Sequence, residues 1–281
     1  MNQSTEAFKL TDAMYDVFKT SKNWFAMSFV GAFAMYVIAL VSATDLNARV
    51  VNLLAAVAVL VQMAAFYARF QSEKFYGFGE QIRRLNLKRD GIGAEVSFME
   101  VAKILENAGK TKFLSGPASG KYFDSISPKG PHRLVEHLGE CAFWTSALSK
   151  RTARIFTALS TFGFLSGVFG FVIVVLSENQ EINIAAFAKI LIPSLAFWSA
   201  SEVTSTAIKF YNLSRDAGAV CEKADVLLSN SQQPIAEREA LLLMDEYNCA
   251  LASSLPIPDG IHRRNQDLLN ELWSKKQSVM T

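Results

Sequence analysis

The chain has 281 residues, 51% of them hydrophobic and 19% charged, with a formal net charge of +2. That is too apolar for an ordinary water-soluble domain and too charged for a chain that is all membrane. So small a net charge carries no nucleic-acid footprint, and binding of DNA or RNA is not expected.

Residues 1–23 are mixed polar, with Phe8, Met14, Tyr15 and Phe18 in a rough helical stripe that ends at Trp24. The stripe predicts an N-terminal cytoplasmic amphipathic helix, either lying at the inner membrane interface or packed on a cytoplasmic domain. A signal peptide is not expected. The apolar run begins late, is longer than an h-region, and a second follows almost at once. The first hairpin, 24–68, holds apolar runs from Trp24 to Ala43 and from Val50 to Tyr67. Each is about long enough to cross a hydrocarbon core of about 30 Å, which takes roughly 20 helical residues. Trp24, Tyr67 and Phe70 stand where rings favour the headgroup level. The insert, 69–154, reads as helical. Gln71 to Lys88 continues the second run, and Gly91 and Gly93 break it. Ala94 to Ala108 carries Phe98, Val101, Ile104 and Leu105 on one helical face. Lys110 to Pro131 is rich in Gly, Ser and Pro and reads as loop, and His132 to Lys150 resumes helix.

The second hairpin, 155–206, holds runs from Ile155 to Leu176 and from Ile184 to Trp198. Gly163, Gly167 and Gly170 set small residues at four-residue spacing with Ser166, which lets helix backbones approach closely in lipid. The contact is either within the chain or between subunits. The fourth run is the shortest. It carries Lys189 and Pro193, and its inner end is polar, with Ser199, Ser201, Glu202, Thr204 and Ser205. Lys189 either snorkels to the outer headgroups or faces a polar lumen, and the Glu202 end either leaves the bilayer or lines water. With Gln62 on the second run, the pore-lining or gate candidates are Glu202, Lys189, Ser199 and Gln62. Lys189 and Glu202 are thirteen positions apart, so on one straight helix they cannot pair. The C-terminal region, 207–281, reads as helices from Ala207 to Leu228, Ile235 to Ala252 and Ile261 to Lys276. Val220, Ala224, Leu227 and Leu228 would face Leu241, Leu242, Met244 and Tyr247.

Residues 69–154 carry fifteen Lys and Arg, whereas the two hairpin loops hold only Arg49. The positive-inside rule then puts both termini and the insert in the cytoplasm of a multi-pass inner-membrane protein. The expected fold class is an all-α membrane protein: four transmembrane helices as two hairpins, a cytoplasmic helical insert and a C-terminal helical hairpin.

Catalytic spacing is lacking. The chain has no Walker loop, GxSxG, HExxH or GxGxxG. His132 and His137 are five apart, off the spacing of a helical metal pair. Glu136 and Glu140 lack a nucleophile beside them. Cys141, Cys221 and Cys249 form no CxxC and read as reduced and structural. No catalytic residue, metal or cofactor is expected, and the chain does not read as an enzyme.

One stretch is more specific than periodicity. Lys121-Tyr122-Phe123-Asp124-Ser125 is followed by Pro128-Lys129-Gly130, by Arg133-Leu134-Val135-Glu136 and by Glu140-Cys141-Ala142-Phe143-Trp144 just before the third run. Leu255-Pro256-Ile257-Pro258-Asp259 precedes a terminal helix carrying Trp273. With its order of hairpins and cytoplasmic helices, the chain resembles the four-transmembrane pore-forming effectors that accompany nucleotide-second-messenger synthases in bacterial antiphage systems. The resemblance implies a dormant homo-oligomer that permeabilises the inner membrane when infection is sensed, with a cyclic oligonucleotide or a partner as trigger. The alternative is a non-conducting membrane scaffold that recruits a cytoplasmic partner. A nucleotide would need cations for phosphate and flat rings for the base. Arg83, Arg84, Lys121, Arg133, Tyr122 and Trp144 are the candidates, and the basic ones serve equally to touch anionic lipid.

Overall fold

The computed structural model describes residues 3–42, 47–107, 109, 123, 125–176, 202–229, 234–252 and 254–280. Among them the chain is all helical: α1 (Gln3–Ser42), α2 (Ala48–Leu87), α3 (Phe98–Asn107), α4 (Pro131–Leu176), α5 (Val203–Ser229), α6 (Glu237–Ala252) and α7 (Asp259–Met280). A π-helical turn, Lys88–Ile92, extends α2 and closes on Gly93. Gly93 takes the left-handed φ of 76° that ends the helix at little cost for glycine. The chain divides into two compact units. Unit 1 comprises Met1–Lys22, Glu73–Thr152 and Lys209–Thr281, and unit 2 comprises Asn23–Ser72 and Ala153–Ile208.

Unit 1 is built like a water-soluble helical domain. Leu10, Ala13, Met14 and Val17 of α1 pack with Ile82 and Leu85 of α2 and with Val101, Ile104 and Leu105 of α3. The α3 face is the one its spacing predicts. The N-terminal segment is not a free interfacial helix: it forms part of this core. Of the expected stripe, Met14 is in this core and Phe18 packs against it, whereas Tyr15 is exposed. The α4–α5 contact runs through small side chains. Ser146 Oγ donates to the Ser214 carbonyl at 2.8 Å, and Ser214 Oγ donates back to the Ser146 carbonyl at 3.0 Å. The buried face of α6 is Ala240, Leu243, Met244, Tyr247 and Leu251 rather than Leu241 and Leu242, and Leu242 is exposed. Three consecutive leucines leave the phase of that helix open in the sequence, and packing against its neighbours sets it.

Unit 2 is built the other way round. Many of its buried side chains are small, Ala32, Ala65, Ala68, Ala153 and Ala207, with Phe25, Phe156 and Val203 as the larger ones. Gly31 sits so close to α2 that a Cβ there would lie 2.8 Å from the Ala65 Cβ. Large apolar side chains point outward on all three long helices, as with Val30 (67% exposed) on α1, Leu60 (66%) on α2 and Phe164 (71%) on α4. In water this arrangement is unfavourable, because each exposed large side chain forgoes roughly 1.5–3 kcal/mol of burial. The stretch Arg49–Ile92 is long and apolar enough to cross a membrane, and its apolar part is almost wholly exposed. The fourth apolar run lies outside the described residues, as do Lys189, Pro193 and Ser199.

Candidate functional sites

Each unit holds a polar constellation. In unit 2, Ser28, Phe29 and Ala32 of α1, Gln62, Ala65, Phe66 and Arg69 of α2, and Glu202 surround a cavity of about 30 Å³. That is room for about one or two water molecules. Glu202 is not inside a helix, as a fourth span running straight through it would require. It stands ahead of α5 at φ 50°, and its carbonyl accepts the Thr206 N–H at 2.8 Å, so it is the residue that starts α5. A left-handed non-glycine residue costs roughly 1–2 kcal/mol and is a place where function is to be sought. The Glu202 carboxylate faces the Arg69 guanidinium at 3.8 Å, and that guanidinium lies 4.9 Å over the Phe25 ring. The Gln62 carbonyl oxygen is buried, with no hydrogen-bond partner among the described residues. Two of the gate candidates, Gln62 and Glu202, thus come together. Arg69 was legible only as a flanking cation of the insert, because nothing in its local sequence shows that it turns toward Glu202. Gly163 is buried within α4, and Gly167 and Gly170 lie on the same helix.

Unit 1 encloses a larger cavity, of about 660 Å³. This is within the range of small-molecule sites, roughly 300–1,000 Å³. Arg83 and Trp144, both named from the sequence, line it together. The Arg83 Nε donates to Glu80 Oε2 at 2.8 Å, and the guanidinium lies 4.6 Å over the Tyr247 ring. Tyr247 shares a 2.7 Å hydrogen bond with Thr145, and the Ser254 hydroxyl donates to the Tyr76 hydroxyl at 2.6 Å. Burial pushes the Tyr76 and Tyr247 phenols above their usual range. Burial also pushes the Cys141 thiol up to about 12, against the opposing charge of Arg83. Cys141 is therefore a protonated, poorly nucleophilic wall residue.

The other wall is aromatic. Trp144 and His262 stack with centroids 5.8 Å apart and planes 23° apart. Burial, and then the charge of Lys22, lower His262 below the usual imidazole value, so the ring is neutral at pH 7. Lys22 itself is held by Asp259 at 2.5 Å. Lys19, Gln266 and Asn270 also line the cavity and are exposed to it with their side chains unpaired among the described residues. This wall therefore offers a flat plane, one free cation and two amides.

The other sequence candidates lie elsewhere. Arg133 does not line the cavity. Its guanidinium grips both oxygens of Asp90 at 2.9 and 2.8 Å and donates to the Ser127 carbonyl. His137, wholly buried, meets Asp90 at 2.8 Å and stacks on Phe123 with planes 13° apart. Burial alone would raise the Asp90 carboxyl, but the hydrogen bonds from His137 and Arg133 outweigh it and bring it down to about 2. Arg133 is thus spent on joining the π-helical turn to α4 and has no fork left for a phosphate. Arg84 is half-buried and off the cavity, and Lys121 and Tyr122 lie outside the described residues. Glu136 accepts the hydroxyls of Ser125 and Ser127. Sequence reasoning missed Glu80, Tyr76, Tyr247, His262 and Lys19, because the cavity is assembled from segments up to about 250 residues apart in the chain.

Compared with known proteins, the chain matches no family model, no curated protein and no solved structure.

Proposed function

We propose that this chain is a multi-pass inner-membrane effector that forms a conducting oligomer when its cytoplasmic unit binds a ligand. Unit 2 would carry four spans, with the described stretches of α1, α2 and α4 as three of them, and both termini would lie in the cytoplasm. One observation carries the reading: unit 2 buries five alanines and turns large apolar side chains such as Val30, Leu60 and Phe164 outward, an arrangement that suits lipid rather than water. Arg69 and Gln62, turned toward a small cavity, are the polar groups a lipid-embedded bundle keeps away from hydrocarbon, and the half-exposed Glu202 stands at the edge of the same cavity. A cavity of about 30 Å³ conducts nothing, so conduction needs several copies and a rearrangement. The same small cavity favours the second reading, a non-conducting scaffold.

The trigger would enter unit 1. A cavity of about 660 Å³ with the Trp144–His262 plane, Lys19, Gln266 and Asn270 suits a planar anionic molecule of nucleotide size. Together with the resemblance of the chain's layout to antiphage effectors, this favours a nucleotide second messenger and a defence role.

Cysteine accessibility in intact cells tests the membrane reading. In a cysteine-free background, an impermeant maleimide added outside is expected to label Asn47→Cys and to spare Gln81→Cys and Ser278→Cys. All three positions are exposed in the folded chain, so silence reports the membrane rather than burial. Labelling of Gln81→Cys or Ser278→Cys from outside would overturn the orientation.

A further inference from the structure

Four helical passes leave unit 1, after Lys22 on α1, before Glu73 on α2, after Thr152 on α4 and before Lys209 on α5. The four unit 1 residues next to each exit are 19–22, 73–76, 149–152 and 209–212. They hold six cations, Lys19, Lys22, Lys74, Lys150, Arg151 and Lys209, and one carboxylate, Glu73. The exits lie together in unit 1. Lys19 and Lys22 of α1, Tyr76 of α2, Leu148 of α4 and Leu213 of α5 all line its cavity of about 660 Å³.

Three of these cations have no ion-pair partner among the described residues: Lys150, Arg151 and Lys209. Lys74 makes no ion pair either and lies 5.8 Å over the Phe78 ring. Elsewhere in unit 1 some cations are tied to carboxylates, Arg83 to Glu80, Arg133 to Asp90, Lys223 to Glu246 and Lys276 to Asp225, while others, such as Lys103, Lys129 and Arg238, make no ion pair among the described residues. What sets the exits apart is the balance there, six cations against the single carboxylate Glu73. On the unit 2 side of the exits, three of the four neighbouring stretches carry rings, Trp24, Phe25, Phe70 and Phe156, together with the cations Arg69 and Arg154 and no carboxylate. Within unit 2, Trp24 and Tyr67 meet edge to face at 5.9 Å. At the other ends of the long helices the last turns of α1 and α4 hold no base, and the first turn of α2 holds Arg49 alone. In chain order, rings beside cations are the pattern that an anionic headgroup surface favours.

Resting on the membrane reading of unit 2, we infer that the exit cations Lys74, Lys150, Arg151 and Lys209 form a collar that binds the phosphate headgroups of anionic phospholipid. Lys19 and Lys22 are set apart from it, since Lys22 is held by Asp259 and both belong to the cavity wall. Arg83 and Arg133, candidates for this contact in the sequence, are excluded because their guanidinium groups are already committed within unit 1.

Quenching of tryptophan emission by brominated lipids tests the collar on the full chain in phosphatidylcholine bilayers. The ratio of quenching by brominated phosphatidylglycerol to that by brominated phosphatidylcholine reports the relative association of the two headgroups. The wild type is expected to prefer phosphatidylglycerol about fivefold, the effect of roughly one cation at the surface. The preference should shrink with added salt. The variant Lys150→Gln/Arg151→Gln/Lys209→Gln should fall close to no preference while its quenching by phosphatidylcholine stays unchanged. These positions are not in the core of unit 1, so the fold is expected to survive. A variant as selective as the wild type, or a wild type with no preference, would overturn the collar and leave the membrane reading intact. Absence of quenching by either lipid would overturn both.

Discussion

Gly31→Leu is expected to prevent α1 from packing on α2 in unit 2 and to remove most of the folded protein recovered in detergent. Even a Cβ at this position would lie 2.8 Å from the Ala65 Cβ and 3.4 Å from its Cα, and the latter is backbone and cannot swing away. Leucine adds three more carbons to that contact. Overpacking of this kind costs about 1–3 kcal/mol, and more where backbone has to move. Helices in lipid gain little from hydrophobic burial against one another, so separating them forfeits the van der Waals contact that holds them together. The midpoint of thermal aggregation in detergent measures the effect. Gly31→Ala should cost less, and Ala65→Gly in the same chain should recover part of that loss. A Gly31→Leu protein as thermostable as the wild type would mean that α1 and α2 do not meet at this point.

Arg83→Leu should destabilise unit 1 by about 3–5 kcal/mol. Its guanidinium and the Glu80 carboxylate are almost wholly buried, 5% and 9% exposed, and lie 2.6 Å apart. Removing the cation leaves a buried carboxylate without its neutralising partner. It also strips the Tyr247 ring of the charge stacked over it. Glu80→Gln together with Arg83→Leu should cost less than Arg83→Leu alone, because no charge is then stranded. Differential scanning fluorimetry of the four proteins completes the cycle. If the double variant were less stable than Arg83→Leu, the pair would not be the electrostatic unit that its geometry makes it. The same substitution removes a wall of the cavity, so it also serves as a ligand-blind variant once a ligand is found.

What the sequence made legible was local. Helical periodicity identified the all-helical class, and in α3 it found the buried face, because Val101, Ile104 and Leu105 sit among polar neighbours that fix the phase. In α6 Met244 and Tyr247 are buried as expected, but the run Leu241-Leu242-Leu243 gives no phase, and it is Leu243 that is buried. At the N-terminus the expected stripe supplies Met14 and Phe18 to the core, but Tyr15 is exposed. The core there uses Leu10, Ala13 and Met14, whose partners Ile82 and Leu105 are about seventy to ninety residues away. The cavity of unit 1 was invisible for the same reason. Arg83 and Trp144 could be named as a cation and a ring, but Tyr247 and His262 join them only through the packing of α2, α4, α6 and α7. Glu202 was singled out for its charge among serines. That it caps α5 at a left-handed φ and faces Arg69 depends on backbone geometry, which composition does not encode.

Single-channel recording in planar bilayers with asymmetric KCl tests most directly the claim that this chain is a conducting membrane effector. Stepwise currents with a cation-selective reversal potential are expected from the reconstituted full chain when a cyclic oligonucleotide is added on the side of unit 1, and none before it is added. Glu202→Gln should move that potential toward zero, because the carboxylate beside Arg69 would lie on the conducting path. A chain that spans the bilayer by cysteine labelling yet passes no step current with cyclic oligonucleotide present would contradict ligand-triggered conduction and leave the scaffold.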